Sequence, residues 1–342
     1  MDLALLDQTL AAHGEPRFRA GQIWSWAAKG VAGYEQMTNL PQALRETLAR
    51  ELPFSSLTVS EEAHSSDGTT KALFQTSDGR PIEAVLMRYR DKRRSICVSS
   101  QSGCPLTCTF CATGKMKFAR NLTASEIVDQ ALHFRRIEQI DHCVFMGMGE
   151  PMLNLDNVLA ACERLPDIGI THRRTAISTV GWIPGIERLA EQPMPLRLAL
   201  SLHAADEALR SELMPVNDRY PLKDVLDACR AFYERKHRRV FVEYVMLAGV
   251  NDRYQQALAL ARALSGPRAG GAGGAGAAGG DSIFKVNLIP YNPTDSPYEG
   301  SSRESIAAFR AALESRDIPV TVRLTRGRDI DAACGQLAAK AS

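Results

Sequence analysis

The sequence predicts an α/β protein. A small helical domain leads into an antiparallel β adaptor, and a run of parallel βαβ units then curls toward a barrel. Three observations point there. The first fifty residues carry helix formers and helix punctuation, four extended runs follow with turn signals between them, and from about residue 95 short β-rich runs alternate with helical ones.

Taken in order, "RAGQIWSWAAKG" sets Ile23, Trp24 and Trp26 among good helix formers and stops at Gly30, while "PQALRETLARE" starts behind Pro41. These mark a helical domain over 1–52. The runs "LTVSEEAH", "TKALFQTS", "PIEAVLMRY" and "RSICVSS" are broken by Asp-Gly and Asp-Lys turns and form the adaptor over 53–94, the last run entering the core over 95–338. Six strand–helix units follow. The helix after "RSICVSS" is "TASEIVDQALHF", with a capping box of Thr123 and Glu126. "HCVFMG" precedes "LDNVLAACERL", "RTAIST" precedes "IPGIERLAE", and "LRLALSLH" precedes "DEALRSELM". "RVFVEYVML" precedes "RYQQALALARAL", and "SIFKVNLIPYN" precedes "SRESIAAFRAALESR". Residues 266–281, nearly pure Gly and Ala, read as a flexible inserted loop without function of its own.

At 342 residues, 45% hydrophobic and 23% charged, the chain has the composition of an ordinary globular protein with a substantial core. No apolar run approaches membrane-spanning length and the start is too acidic for a signal peptide, so a cytoplasmic protein is expected. Eight cysteines in such a chain point to metal binding or catalysis before disulfides. The net charge of +2 does not demand nucleic acid, yet basic residues bunch at Arg88–Arg94, His172–Arg174, Arg235–Arg239 and Arg323–Arg328. One such run is usually a solvated face; four leave phosphate binding open.

Residues 104–111, "CPLTCTFC", place Cys104, Cys108 and Cys111 beside Gly103, Pro105 and Gly114. Structural zinc takes four ligands from paired knuckles, and no second knuckle appears. His133 and His142 are the candidates to close a Cys₃His site, but one lies mid-helix and the other starts a strand. A 4Fe–4S cluster fits better: it is normally held by four thiolates, and three leave one iron open to a substrate or cofactor. Polar or glycine-rich residues also recur at strand ends, where a parallel barrel gathers function. They are Gly147–Pro151, Ser178 and Thr179, Ser201–His203, and Asn292. Cys143, Cys162 and Cys229 lie in apolar patterns and read as small buried hydrophobes. Cys97, on the strand leading to the triad, and Cys334, just beyond "PVTVRLT", are both placed to reach the top of the barrel.

The C-x₃-C-x-aromatic-C spacing resembles the signature of the radical S-adenosylmethionine superfamily, which implies a partial (βα)6 barrel and S-adenosylmethionine as the fourth ligand of the cluster. More closely, "CVSSQSGCPLTCTFCATG", "GMGEPMLN", "SLHA", "NLIPYNP" and "TRGRDIDAACGQLA" resemble, in order and over nearly the whole chain, the bacterial 23S rRNA (adenine-C2)-methyltransferases, including members that also modify tRNA. The resemblance implies methylation of adenine C2 by a radical route that uses two S-adenosylmethionine molecules. Cys334 would be methylated on sulfur and then joined covalently to the RNA, and Cys97 would release the product as a disulfide. It casts Glu83 as the base that removes the C2 proton. It casts Gly149, Glu150, Ser178, Ser201, Leu202, His203 and Asn292 as the S-adenosylmethionine cradle, with Glu150 accepting from its amino group. It also implies 23S rRNA and tRNA as partners, an electron donor such as flavodoxin or ferredoxin, no membrane, and a monomer. Relatives that methylate C8 share the cysteine pair and are the alternative inside the superfamily. A second alternative is another radical S-adenosylmethionine enzyme, such as a glycyl-radical activase, which would not need Cys97 and Cys334; a third, of a different class, is a non-catalytic RNA-binding protein with structural zinc.

Overall fold

The computed structural model describes residues 1–265 and 282–339; the stretch read as a Gly/Ala insert, 266–281, lies outside them. The chain opens with helices α1 (Leu3–Ala12), α2 (Phe18–Lys29) and α3 (Gln42–Glu51). Apolar residues at helical spacing give α2 a buried face of Ile23, Trp24, Ala27 and Ala28. That face packs on α4 (Ala124–Ile137) and α5 (Leu155–Ile168), and the Trp24 indole donates to Asp167 at 2.7 Å. Gly30 ends α2 at φ 94°, and a Cβ there would stand 2.8 Å from the Arg135 carbonyl oxygen of α4, so both the turn and the contact require glycine.

Four strands follow: β1 (Leu57–His64), β2 (Thr70–Thr76), β3 (Pro81–Arg88) and β4 (Arg94–Cys97), each antiparallel to the next. Two short strands, β5 (Gln101–Ser102) and β6 (Arg120–Asn121), pair with each other and frame the triad loop. The parallel part then adds β7 (His142–Phe145), β8 (Thr175–Thr179), β9 (Arg197–Ser201), β10 (Val240–Met246), β11 (Phe284–Pro290) and β12 (Val320–Val322). The order is β1-β2-β3-β4-β7-β8-β9-β10-β11-β12 in one ten-stranded sheet. Antiparallel and parallel parts are thus continuous, because β4 uses one edge for β3 and the other for β7.

Among the described residues the six expected strand–helix units are present, with β12 closing the series and its outer edge unpaired with β1, so the barrel is open. The capping box forms as read: Thr123 Oγ1 accepts from Glu126 N at 3.2 Å, and Glu126 accepts from Thr123 N at 2.9 Å. After α6 (Ile183–Glu191) the chain makes α7 (Glu207–Leu213) and then α8 (Leu222–Lys236), the latter absent from the sequence reading. Its Leu222, Val225, Leu226, Cys229 and Phe232 are spaced for one buried face, but assigning one helix per strand left no place for it. Helices α9 (Tyr254–Ser265) and α10 (Arg303–Glu314) complete the layer. No helix among the described residues is long and apolar enough to cross a membrane.

Candidate active site

The C-terminal ends of the parallel strands surround an open hollow of about 1040 Å³. The triad loop forms one wall. It is shaped by short local bonds, Cys111 N to Cys108 O at 3.2 Å and Gly114 N to Cys111 O at 3.1 Å, and is tied to α7 by Thr109 N donating to Leu213 O at 3.0 Å. All three triad cysteines line the hollow. Burial pushes the Cys104 thiol up to about 12 and also raises the Cys108 thiol. Among the described residues no three Cys, His, Asp or Glu side chains converge closely enough to hold one metal ion. Three thiols on one loop around a shared space are a donor set that would fit a 4Fe–4S cluster with one iron left open.

The opposite wall suits S-adenosylmethionine. Gly149 has φ 95°, and a Cβ on it would lie 2.5 Å from Gln101 Cβ; that close approach lets Gln101 Oε1 accept from Glu150 N at 2.8 Å. The Glu150 carboxylate lines the hollow, 3% exposed, and accepts from Met152 N at 3.1 Å and Val180 N at 3.0 Å. Burial pushes its pKa up to about 7, with these bonds pulling the other way. It has no ion-pair partner among the described residues, which suits an incoming ammonium. Ser178 and Ser201 meet at 3.3 Å, also on this wall.

His203 sits at φ 59°, held there by Val245 N donating to its Nδ1 at 3.0 Å and Asn251 Nδ2 donating to its carbonyl at 2.8 Å. Its ring packs edge-on to Phe110, centroids 4.8 Å apart. Burial, and then the charge of Arg210, lower its pKa to about 3, so it is a neutral acceptor. Leu202 is fully buried and reaches the cavity only through its backbone neighbours, its own N donating to Glu243 O at 3.1 Å.

A second hollow, about 600 Å³, adjoins the first, and both are lined by Cys334 and Arg323. Cys97, at the end of β4, lines the second. The structure therefore brings the two isolated cysteines together although 237 positions separate them (334 minus 97). Burial pushes Cys97 up to about 12, with Cys334 adding to the shift. Cys334 keeps an exposed face; the protein packed around its sulfur raises the thiol, against the pull of the Arg323 guanidinium. Arg323 is held by Glu243 at 3.3 Å, and Glu243 accepts from Asn287 Nδ2 at 2.8 Å. Asn292 lies here rather than in the larger hollow. Its Nδ2 donates to Cys334 O at 3.1 Å, and its buried Oδ1 has no partner.

The tail that carries Cys334 is laced across the open barrel. Ala112 N donates to Gly335 O at 2.9 Å, Thr113 Oγ1 to Leu337 O at 2.6 Å, and Gln336 Nε2 to Pro293 O at 2.9 Å. The same tail engages Glu83, the residue expected to act as base. Glu83, 1% exposed, lines neither hollow; it pairs with Lys71 at 3.0 Å and accepts from Ala338 N and Ala339 N at 2.9 Å each. Its carboxylate faces the tail because β3 turns that side of the strand toward the chain end. Three residues missed by the sequence reading shape the site: Arg323, counted there as part of a solvated bunch, Glu243 and Arg210. A charged residue inside an apolar strand, as in "VFVEYVM", was the available signal for Glu243. Arg210 is fully buried and donates to Leu202 O at 3.3 Å and Val180 O at 2.7 Å, joining two of the cradle loops from below.

An open parallel barrel with a three-thiol loop at its mouth is the architecture of a radical S-adenosylmethionine enzyme, and residues 98–261 match that superfamily. Residues 1–52 match the N-terminal domain of ribosomal RNA large subunit methyltransferases. A "Probable dual-specificity RNA methyltransferase RlmN" of Chloroflexus aurantiacus is 45% identical over 359 aligned positions, covering 100% of this chain and 92% of the relative. The dual-specificity RNA methyltransferase RlmN of Anaeromyxobacter is 42% identical, covering 99% and 90%. The crystal structure of a radical SAM methyltransferase from Sphaerobacter thermophilus superposes with a TM-score of 0.90 at 44% identity, covering 99% of this chain and 98% of that one. The chain belongs to the RlmN family of radical S-adenosylmethionine RNA methyltransferases.

Proposed function

We propose that the protein methylates C2 of an adenine in 23S rRNA, and an adenine of tRNA as well, through S-methylated Cys334 and a covalent protein–RNA intermediate. The observation that carries this reading is the meeting of Cys334 and Cys97 in a hollow that shares Cys334 and Arg323 with the triad cavity. A radical enzyme with no covalent thiol chemistry has no use for that pair.

Cys104, Cys108 and Cys111 would hold a 4Fe–4S cluster, with Glu150, Gly149, Ser178, Ser201 and the backbone around Leu202 and His203 cradling S-adenosylmethionine. When bound, the pair supplies a hydrogen-abstracting radical that no side chain can provide. The rest falls to the chain's own residues. Arg323 favours the Cys334 thiolate, the form that accepts a methyl group by displacement. Asn292 and Gln336 fix the backbone around Cys334, so that its sulfur is presented at the junction of the two hollows. Cys97 lines the same hollow as Cys334, which supports its thiolate as the group that attacks the Cys334 sulfur. The S–CH₂ bond then breaks with its electron pair going to the carbon on adenine, that carbon takes a proton to become the methyl group, and the two cysteines are left as a disulfide. Helical residues 1–52, with the adaptor at 53–94, form the RNA-recognition part, and an electron donor of the flavodoxin or ferredoxin type supplies the reducing electron.

The test is anaerobic incubation of the reconstituted protein with S-adenosylmethionine, followed by mass measurement of the tryptic peptide Asp329–Lys340. A peptide heavier by one CH₂ at Cys334 is expected. An unmodified peptide from protein that still cleaves S-adenosylmethionine would sink the assignment. Digestion of the RNA product separates 2-methyladenosine from 8-methyladenosine, and using rRNA and tRNA fragments in parallel decides the second substrate.

A further inference from the structure

Two basic runs that the function leaves unused meet at the end of the sheet opposite the active site. Arg173 precedes β8, Arg197 opens β9, Lys236 and Arg238 precede β10, and Lys285 lies in β11. Four neighbouring strands thus deliver cations to one hollow of about 1140 Å³. The seven residues of β10 separate it from the active site by roughly 20 Å.

These cations are held in place. The Arg173 carbonyl accepts from Arg197 Nε at 2.7 Å and from Arg238 Nη2 at 3.4 Å, and the Arg197 guanidinium lies over the Phe241 ring, 5.6 Å from its centroid. Lys236 donates to the Gln192 carbonyl. Yet several of these cations lack a carboxylate partner among the described residues. The outer arginines take the nearby carboxylates, Arg174 pairing with Asp141 and Arg235 with Glu191. Among the described residues no ion pair neutralises Arg173, Arg197, Arg238 or Lys285, and the buried Nε of Arg238 has no acceptor. Burial and the like charges of Arg197 and Arg173 together disfavour the Arg238 cation. Guanidinium forks gathered and partly dehydrated without an anion are costly alone and complementary to phosphate.

We propose that this hollow binds phosphate oxyanions, and that their source is the RNA backbone, giving the enzyme a second RNA contact remote from the reacting base. Four strands about 4.8 Å apart spread the cations over some 14 Å, more than one phosphate fills. The RNA half of the proposal rests on the function proposed above; the phosphate half does not.

The experiment compares the full-length reconstituted protein with its Arg173→Gln/Arg238→Gln double variant. Binding of a labelled, unmodified 23S rRNA fragment is followed against KCl concentration. The variant should bind about tenfold more weakly, with a salt slope shallower by roughly 1 to 2, the value for two lost phosphate contacts. Inorganic pyrophosphate should raise the melting temperature of the parent and not of the variant. Arg173→Lys/Arg238→Lys should restore both effects, which a folding defect in the Gln variant would not mimic. If pyrophosphate stabilisation is lost while RNA affinity and slope are unchanged, RNA is overturned as the phosphate source. If neither changes, the whole proposal is overturned. If pyrophosphate behaves as expected but the parent leaves RNA unmethylated, it is the proposed function that fails.

Discussion

Glu150, which lines the active-site hollow, and Arg210, buried beside it with the Glu207 charge nearby, make no direct salt bridge among the described residues, and each leads to a measurement. The Glu150 pKa of about 7 stands above its ordinary 4.5, so folding favours its protonated form. That contribution is fully present below pH 4.5 and is lost as pH rises through 7. An ammonium ligand selects the ionised form, so affinity for S-adenosylmethionine should rise between pH 6 and 8, and Glu150→Gln should flatten the profile in calorimetric titrations. Arg210 is held by carbonyls and Asn217, and burial lowers its pKa to about 10. Beside Cys108 it is a fixed positive charge, and positive charge eases addition of an electron. Arg210→Met should therefore move the cluster's reduction potential to more negative values in an EPR-monitored titration, while Arg210→Lys should hold it near the parent value. For Glu83, the substitution to Gln separates two roles. As a tail anchor, the variant loses methylation of Cys334 itself; as the C2 base, it methylates Cys334 normally and stalls at the protein–RNA adduct. The bonds to Ala338 and Ala339 favour the first outcome.

The element that decides function is the C-terminal tail, and the antiparallel strands are its support. Ser65 Oγ donates to Asp329 Oδ1 at 2.6 Å, Ser66 N to Asp329 Oδ2 at 3.0 Å, and Gly327 N to Asp67 Oδ2 at 3.0 Å, all from or to the β1–β2 turn. With Glu83 beyond Cys334, the tail is pinned on both sides of its nucleophile. Asp329→Ala should lower the rate of Cys334 methylation several-fold and leave cleavage of S-adenosylmethionine in place, as product chromatography would detect. Lys71→Met leaves the buried Glu83 carboxylate unpaired and should cost about 3–5 kcal/mol, read from urea unfolding. At this scale the strand–helix alternation was readable because period-2 and period-3.6 patterns are local. Helix α8 was not, although its spacing is regular, because a second helix in one crossover follows from no local pattern.

For the whole molecule, the N-terminal helices share one hydrophobic core with the barrel, from Leu6 and Ile23 through Phe134 to Phe309. One cooperative unfolding transition is expected, and Trp24→Ala should shift it by about 3–5 kcal/mol without separating a second one. The triad, the glycine turn before Glu150 and the strand-end polar residues were legible in the amino-acid order because each is a short motif whose chemistry depends on neighbours in the chain. Cys97 and Cys334 stood out by their places in the strand pattern, but their roles were legible only through resemblance to a family. Their meeting, the insertion of Arg323 and Glu243 between the hollows, the turning of Glu83 toward the tail and the gathering of Arg173, Arg197 and Arg238 are all contacts between distant segments. The sequence by itself determined which chemistry the protein carries and the alternation that builds its sheet. Tertiary structure alone decided which charges face each cavity, because strand register and the path of the tail are set by packing across the whole sheet and leave no periodic trace in the chain.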